Sequence, residues 1–197
     1  MKKSDQTRQR ILDAAAVEFR DRGFAATRLV DIAERAELQT PSLYYHFSSK
    51  EELIEVVLAL SVERTFGHVK SSVAEIPADQ PLRRLQVAIE AHVVKSQEHG
   101  DYSAATLRLF GQMPPDIQKR LRRTQREVGG FWGELLENAQ RAGAIRADLD
   151  LSVVRMLLLG ALNWAVEWYK PSRRLSVEDL ATHASRMVLD GIALPPG

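Results

Sequence analysis

Apolar residues recur at helical spacing along nearly the whole chain, and no run alternates as a half-buried strand would. The stripe Ile11, Leu12, Ala15 and Phe19 predicts a first helix from about Asp5 to Arg22, with Gly23 as a left-handed stop. Thr27 is placed to cap a second helix carrying Leu29, Val30, Ile32 and Ala33. A tight connection, Ala36 to Gln39, leads into a very short third helix, about Thr40 to Phe47. Ser49 and Glu52 have the spacing of a capping box, which starts a long fourth helix reaching about Ser72. Further helices are predicted over about Leu82 to Glu98 and Tyr102 to Gln112, the latter stopped by Pro114 and Pro115. A long seventh helix ends near Arg141, an eighth spans about Ser152 to Tyr169, and Ser176 caps a ninth that runs to about Gly191. Asp148 and Asp150 read as helix caps, and residues 194–197 as a frayed tail. The fold class is all-α, with about nine helices.

A boundary is expected near Ser48, dividing residues 1–48 from residues 49–197. Three compact helices with short connections precede it, and longer helices follow. The capping box joins the two parts without a flexible linker, so a shift of the fourth helix is expected to reach the first part.

Composition narrows the function. The 197 residues are 45% hydrophobic, enough for a packed core, and contain no cysteine. Disulfides, thiolate metal sites and a thiol nucleophile are therefore excluded. The start "MKKSDQTRQR" lacks the apolar stretch of a signal peptide. The most apolar run, Met156 to Val166, is too short to cross a bilayer, so a soluble, cytoplasmic protein without a membrane role is expected. Net charge is +1, and residues 1–50 carry an excess of only two positive charges, so nucleic-acid binding needs a local surface rather than bulk charge. His46, His68, His92, His99 and His183 show no metal-ligand spacing, and no nucleophile stands beside a base. The expectation is no cofactor, no metal and no enzyme.

The short third helix needs a purpose, because a helix of that length is not stable alone. With the second helix it forms a helix-turn-helix, in which the second member lies in the DNA major groove. Gln39, Thr40 and Ser42 are small polar residues suited to base edges or phosphates, and Pro41 sits where its missing donor costs nothing. Leu43 is predicted to pin the helix and Phe47 to plug the core. Tyr44, Tyr45 and His46 offer phosphate contacts, and Lys50, at the start of the next helix, also reaches the DNA backbone. The other reading is a helical small-molecule-binding or interaction protein whose helix-turn-helix is only structural. The polar run Gln39, Thr40, Ser42 separates the two, since a structural helix has no need of it.

The stretch "RILDAAAVEFRDRGFAATRLVDIAERAELQTPSLYYHFSSKEEL", Arg10 to Leu53, resembles the DNA-binding domain of the TetR family of bacterial transcriptional repressors. The resemblance implies a homodimer whose paired three-helix heads bind a palindromic operator, and a helical-bundle domain for ligand binding and dimerisation that responds to a small inducer. Carried over by position, the reader is Gln39 to His46. Thr27, with Arg28 beside it, Tyr45 and Lys50 match the region that touches phosphates. Glu37 stands where the family usually has glycine, and Gln39 where it usually has serine.

In the C-terminal part, Phe66, His92, Tyr102, Phe110, Phe131, Trp132, Asn163, Trp164 and Trp168 are candidates for lining an apolar pocket with a few polar groups. Plain core packing is the competing reading for each of them. "NWAVEWYKP", Asn163 to Pro171, resembles the corresponding segment of TetR-family members that respond to acyl-CoA thioesters. The run Lys119 to Arg126 holds five basic residues and reads as a solvated helix face. Leu180, Ala184, Met187, Val188 and Ile192 form one stripe of the ninth helix, the eighth helix is apolar on more than one face, and a dimer built from these two helices is expected.

Overall fold

The computed structural model describes residues 3–172 and 174–193, and the tail expected at residues 194–197 lies outside them. The order is α1 (Lys3–Ala26), α2 (Leu29–Arg35), α3 (Thr40–His46), α4 (Lys50–Ala74), α5 (Pro81–Glu98), α6 (Gly100–Leu109), a 3₁₀ turn (Phe110–Gln112), α7 (Pro115–Arg141), α8 (Leu151–Trp168) and α9 (Val177–Ile192). Among the described residues no strand forms; only two isolated β-bridges occur.

Gly23 breaks α1 at φ 76 and ψ 170, a backbone conformation that costs an L side chain but not glycine. Thr27 does not cap α2. Its hydroxyl donates back to the carbonyls of Gly23 at 2.7 Å and Glu18 at 3.2 Å, and Arg28 takes the cap position without a side-chain bond. The capping box at α4 is split. Ser49 Oγ accepts from the Glu52 amide at 3.1 Å, but the Glu52 carboxylate accepts from the Ser48 amide at 2.8 Å and the Ser48 hydroxyl at 2.6 Å. These bonds from Ser48 hold the Glu52 carboxyl below its ordinary range. Asp150 caps α8 through the amides of Ser152 and Val153, whereas Asp148 pairs with Arg146. Ser176 and Asp179 form a complete capping box on α9.

The chain divides into two compact units: residues 1–62 with 99–122, and residues 63–98 with 123–197. The division therefore does not fall at Ser48. The hydrophobic reason is plain in the first unit. Ile11, Leu12 and Phe19 of α1, Ile32 of α2, Leu43 of α3 and Leu53, Ile54 and Leu58 of α4 share one core with Tyr102 and Leu109 of α6 and Ile117 of α7. Without α4 and α6, the apolar faces of the first three helices would lie open.

The second unit has its own core, with Val69 and Val73 of α4, Leu85 and Ile89 of α5, Trp132 and Leu136 of α7, Leu158 and Leu162 of α8, and Leu180 and Ile192 of α9. His92 is buried in this unit beside Trp132, ring centroids 5.9 Å apart and edge to face. Its Nε2 lies 3.1 Å from Asn163 Oδ1, and the Nε2–H tautomer donates there. Burial lowers the pKa to about 4, against the smaller opposing effect of the Asn163 bond, so the ring is neutral near pH 7.

Two outcomes follow from these details. Glu37 takes φ 53, the left-handed turn position after α2, with its amide donating to Glu34 O and the Leu38 amide to Ala33 O, both at 2.9 Å. Left-handed backbone costs a side-chain-bearing residue about 1–2 kcal/mol, and glycine's extra unfolded-state freedom returns about 0.5–1 kcal/mol of that. Glu37→Gly is therefore expected to raise stability by about 0.5 kcal/mol, read as a higher urea midpoint at unchanged slope. His92 supplies the second. Its folded pKa lies below the unfolded value of 6.5, so its contribution is complete above 6.5, falls as pH drops toward about 4, and is constant below that. The full span is about 3 kcal/mol. Urea unfolding between pH 7 and pH 4 is expected to lose this increment in the wild type and not in His92→Phe.

Candidate DNA-reading surface and ligand region

The candidate reader is α3, seven residues long. Gln39 is its cap residue, with extended backbone at φ −75 and ψ 142 and no side-chain cap bond, and Pro41 sits in its first turn. Leu43 and Phe47 are buried at 0% and 1% exposure, and they anchor the helix against α1, α2 and α4. Removing one such side chain costs about 2–5 kcal/mol, more than the intrinsic stability of any seven-residue helix. The opposite face stays open. Gln39 and Pro41 are exposed, Thr40, Ser42 and His46 are partly exposed, Tyr44 is 53% exposed and Tyr45 83%. Tyr45 and His46 stand edge to face, ring centroids 5.2 Å apart. The structure thus brings Gln39, Thr40, Pro41, Ser42, Tyr44, Tyr45 and His46 onto one short projecting element.

Three residues expected beside them behave otherwise. Thr27 is buried, and its hydroxyl is committed to α1 carbonyls, so its side chain offers nothing to a phosphate. Arg28 is exposed but bound in a two-bond pair to Asp31, Nη2–Oδ1 2.6 Å and Nε–Oδ2 3.0 Å, and this bond holds the Asp31 carboxyl below its usual range. Lys50 points its ammonium inward. It donates to the carbonyls of Phe24 at 2.7 Å, Thr27 at 2.9 Å and Ala25 at 3.4 Å, and lies 4.5 Å from the Phe24 ring centroid.

Sequence reading also missed what most of the other cations do. Glu18 is buried; it accepts from Arg35 at 2.7 Å and forms an ion pair with Arg22 at 2.9 Å, and Arg22 also reaches Asp31 at 3.2 Å. Arg10 donates to the Ala36 carbonyl at the helix-turn-helix turn. Arg20 pairs with Asp21 and Asp101. Only the Glu18–Arg22 spacing of four was visible in the sequence as a helical pair.

The residues expected to line a ligand pocket separate into three groups. Tyr102 and Phe110 belong to the first unit. Tyr102 is in its core, its hydroxyl donating to Asp13 at 2.7 Å and accepting from Gln9 at 3.1 Å, and Phe110 packs against the same core. His92, Asn163 and Trp132 meet in the second unit, where Phe66 and Phe131 also stack edge to face at 5.5 Å. Trp164 and Trp168 are 58% and 56% exposed, so they line no interior of this chain. The reason is the helical phase of α8: Leu158, Leu162 and Ala165 face the core, and the tryptophans fall on the other side.

That other side forms a continuous exposed stripe of Val153, Met156, Leu157, Trp164 and Trp168, with the exposed Gly160 and Ala161 between them. α8 is 18 residues long and, by length and composition alone, long and apolar enough to cross a membrane; the helix extends past both ends of the run Met156 to Val166, which alone is too short. The stripe expected on α9 divides within the chain. Leu180 and Ile192 are buried in the second unit's core, Ala184 and Val188 pack against it, and only Met187 remains exposed. In the run Lys119 to Arg126, Arg120 pairs with Glu55 (Nη2–Oε2 2.7 Å) and Asp116, and Arg123 with Glu127, within an exposed helix face.

Comparison with known proteins bears on both units. Residues 11–57 match the family model described as bacterial regulatory proteins, tetR family, and residues 78–192 match the tetracyclin repressor-like C-terminal domain. The HTH-type transcriptional repressor KstR2 of Rhodococcus jostii is 31% identical over 193 residues, which cover 95% of this chain and 92% of that one. The solved structure of the ketosteroid transcriptional regulator KstR2 of Mycobacterium tuberculosis superposes with a TM-score of 0.84 at 28% identity, over 95% of each chain. AibR, solved in complex with isovaleryl coenzyme A and operator DNA, shares the fold at a TM-score of 0.79 and 23% identity, over 92% of this chain and 97% of that one. These relatives are transcriptional regulators rather than enzymes. With family matches across both units and a relative 31% identical over 95% of this chain, the protein belongs to the TetR family of bacterial DNA-binding transcriptional regulators.

Proposed function

We propose that the protein is a cytoplasmic repressor that binds a palindromic operator as a homodimer and leaves it when a small inducer binds the second unit. The observation that carries the reading is α3. Its inner side is sealed by Leu43 and Phe47, yet it projects Gln39, Tyr44 and Tyr45 into solvent. A helix kept only for structure has no use for two exposed tyrosines beside a polar start. DNA recognition belongs to residues 1–48, with Gln39, Thr40 and Ser42 reading bases and Tyr44, Tyr45 and His46 touching phosphates.

The dimer forms through α8. A contiguous exposed apolar stripe is a liability in a monomer, and a two-fold partner covers it with the same stripe. Val153, Met156, Leu157, Trp164 and Trp168 are the contact residues, with Met187 of α9 beside them. Two heads on one dimer then match two half-sites.

The inducer is a mainly apolar acid or its CoA thioester. The Asn163 to Pro171 segment and the shared fold of AibR, solved with isovaleryl coenzyme A, support that class. Neutral His92 with Asn163 would orient its polar end, and Phe66, Phe131 and Trp132 would hold its apolar body. Core packing alone is the reading this one must displace.

Anisotropy titrations on duplexes selected by the wild type from random DNA test the reader. Gln39→Ala is expected to cost about 1–3 kcal/mol and relax sequence preference. Tyr45→Phe is expected to weaken all duplexes evenly. Repeating the titrations with acyl-CoA thioesters and their free acids tests the inducer, and binding must be weakened reciprocally, with coupling of about 1–3 kcal/mol. Full affinity in both variants would remove the reader assignment. Leu157→Glu and Trp164→Glu are expected to convert the sedimenting species from dimer to monomer at micromolar concentration. A monomeric wild type would overturn the dimer reading.

A further inference from the structure

The geometry points to Lys50 as a positioning residue for DNA recognition, a clamp on the α1–α2 junction rather than a phosphate contact. An ammonium has three donors and no acceptor. Here three carbonyls take them: Phe24 at 2.7 Å, Thr27 at 2.9 Å and Ala25 at 3.4 Å. The charge also lies 4.5 Å from the Phe24 ring centroid, a cation–π contact. Phe24 and Ala25 belong to the last turn of α1, which begins anew after the break at Gly23, and the negative end of a helix favours a cation. No donor of Lys50 remains for DNA while these bonds stand.

The clamp has a mechanical consequence. Lys50 is the first residue of α4, and α3 ends at His46, so three residues separate the reader from the clamp. On its other side, the clamp holds Thr27, whose hydroxyl is itself fixed to Gly23 O and Glu18 O. α2 begins two residues later. One ammonium therefore ties the entrance of the helix-turn-helix to its exit, and the angle at which α3 is presented depends on it. The inference rests on the reading of α3 as the DNA reader.

The test uses the full chain and a duplex selected by the wild type from random DNA. Wild-type binding to that duplex tests the reader itself; the Lys50 variants are compared with it. Binding is measured by anisotropy across a range of salt for Lys50→Met and Lys50→Arg, with native-state amide exchange over residues 23–29. A clamp predicts that both variants lose affinity, by about tenfold, because charge-assisted bonds to three converging carbonyls are removed or misfitted. It also predicts an unchanged slope of log affinity against log salt, and faster exchange at the junction. If Lys50→Met does not fold, Lys50→Arg decides alone, since a guanidinium serves a phosphate well but its planar fork does not fit three converging carbonyls. The proposal is overturned if Lys50→Arg binds and exchanges like the wild type. It is equally overturned if Lys50→Met lowers the salt slope by about 0.9 per protomer, the loss of one phosphate contact, with exchange unchanged.

Discussion

A helix of seven residues gains too few backbone bonds to offset the cost of nucleating it, so α3 exists only because Leu43 and Phe47 are buried. That burial requires a socket. Phe19, Ile32, Leu53 and Ile54 come from three other helices, and α6 completes the walls. The same requirement explains why the compact unit runs past Ser48. Once the inner face is committed, Gln39, Tyr44 and Tyr45 have only solvent to face, on the side that packing leaves open.

Charge in this unit serves the fold before it serves DNA. Glu18 is a buried carboxylate, and removing it from water is costly unless it is paired. Arg22 and Arg35 meet that need, Arg28 and Arg22 hold Asp31, and Arg10 and Lys50 satisfy turn carbonyls that α1 and α2 leave without helical partners. Six of the cations in the first fifty residues, counting Arg20, are thus engaged within the chain. Under the proposed reading, phosphate contacts fall to hydroxyls and amides around α3, which fix register without bulk charge.

In the second unit one packing choice decides the fate of two helices. α9 lays Leu180 and Ile192 into the core and packs Ala184 and Val188 against it. α8 contributes Leu158, Leu162 and Ala165 to the same core, and its opposite face, with two tryptophans, is left uncovered. An aromatic stripe at helical spacing looks the same in a sequence whether it lines an interior or a surface. Only the phase of the helix against its neighbours separates Trp132, fully buried, from Trp164, more than half exposed.

Periodicity and capping chemistry are local properties, so the helices and several of their stops were legible in the sequence: the break at Gly23, the caps Asp150 and Ser176, and the pin residues Leu43 and Phe47. The short third helix was legible too, because its polar start, its proline and its aromatic end lie within eight consecutive residues. What each long side chain does was not. Thr27, Lys50 and Tyr102 carry the right chemistry for the roles expected of them but bond within the chain, and Trp164 lies exposed rather than in an interior. Lys50 finds its carbonyls some twenty-five residues away and Tyr102 its carboxylate 89 away. Such bonds depend on how helices approach one another in space, which spacing along the chain does not encode, and so the tertiary structure alone assigned them.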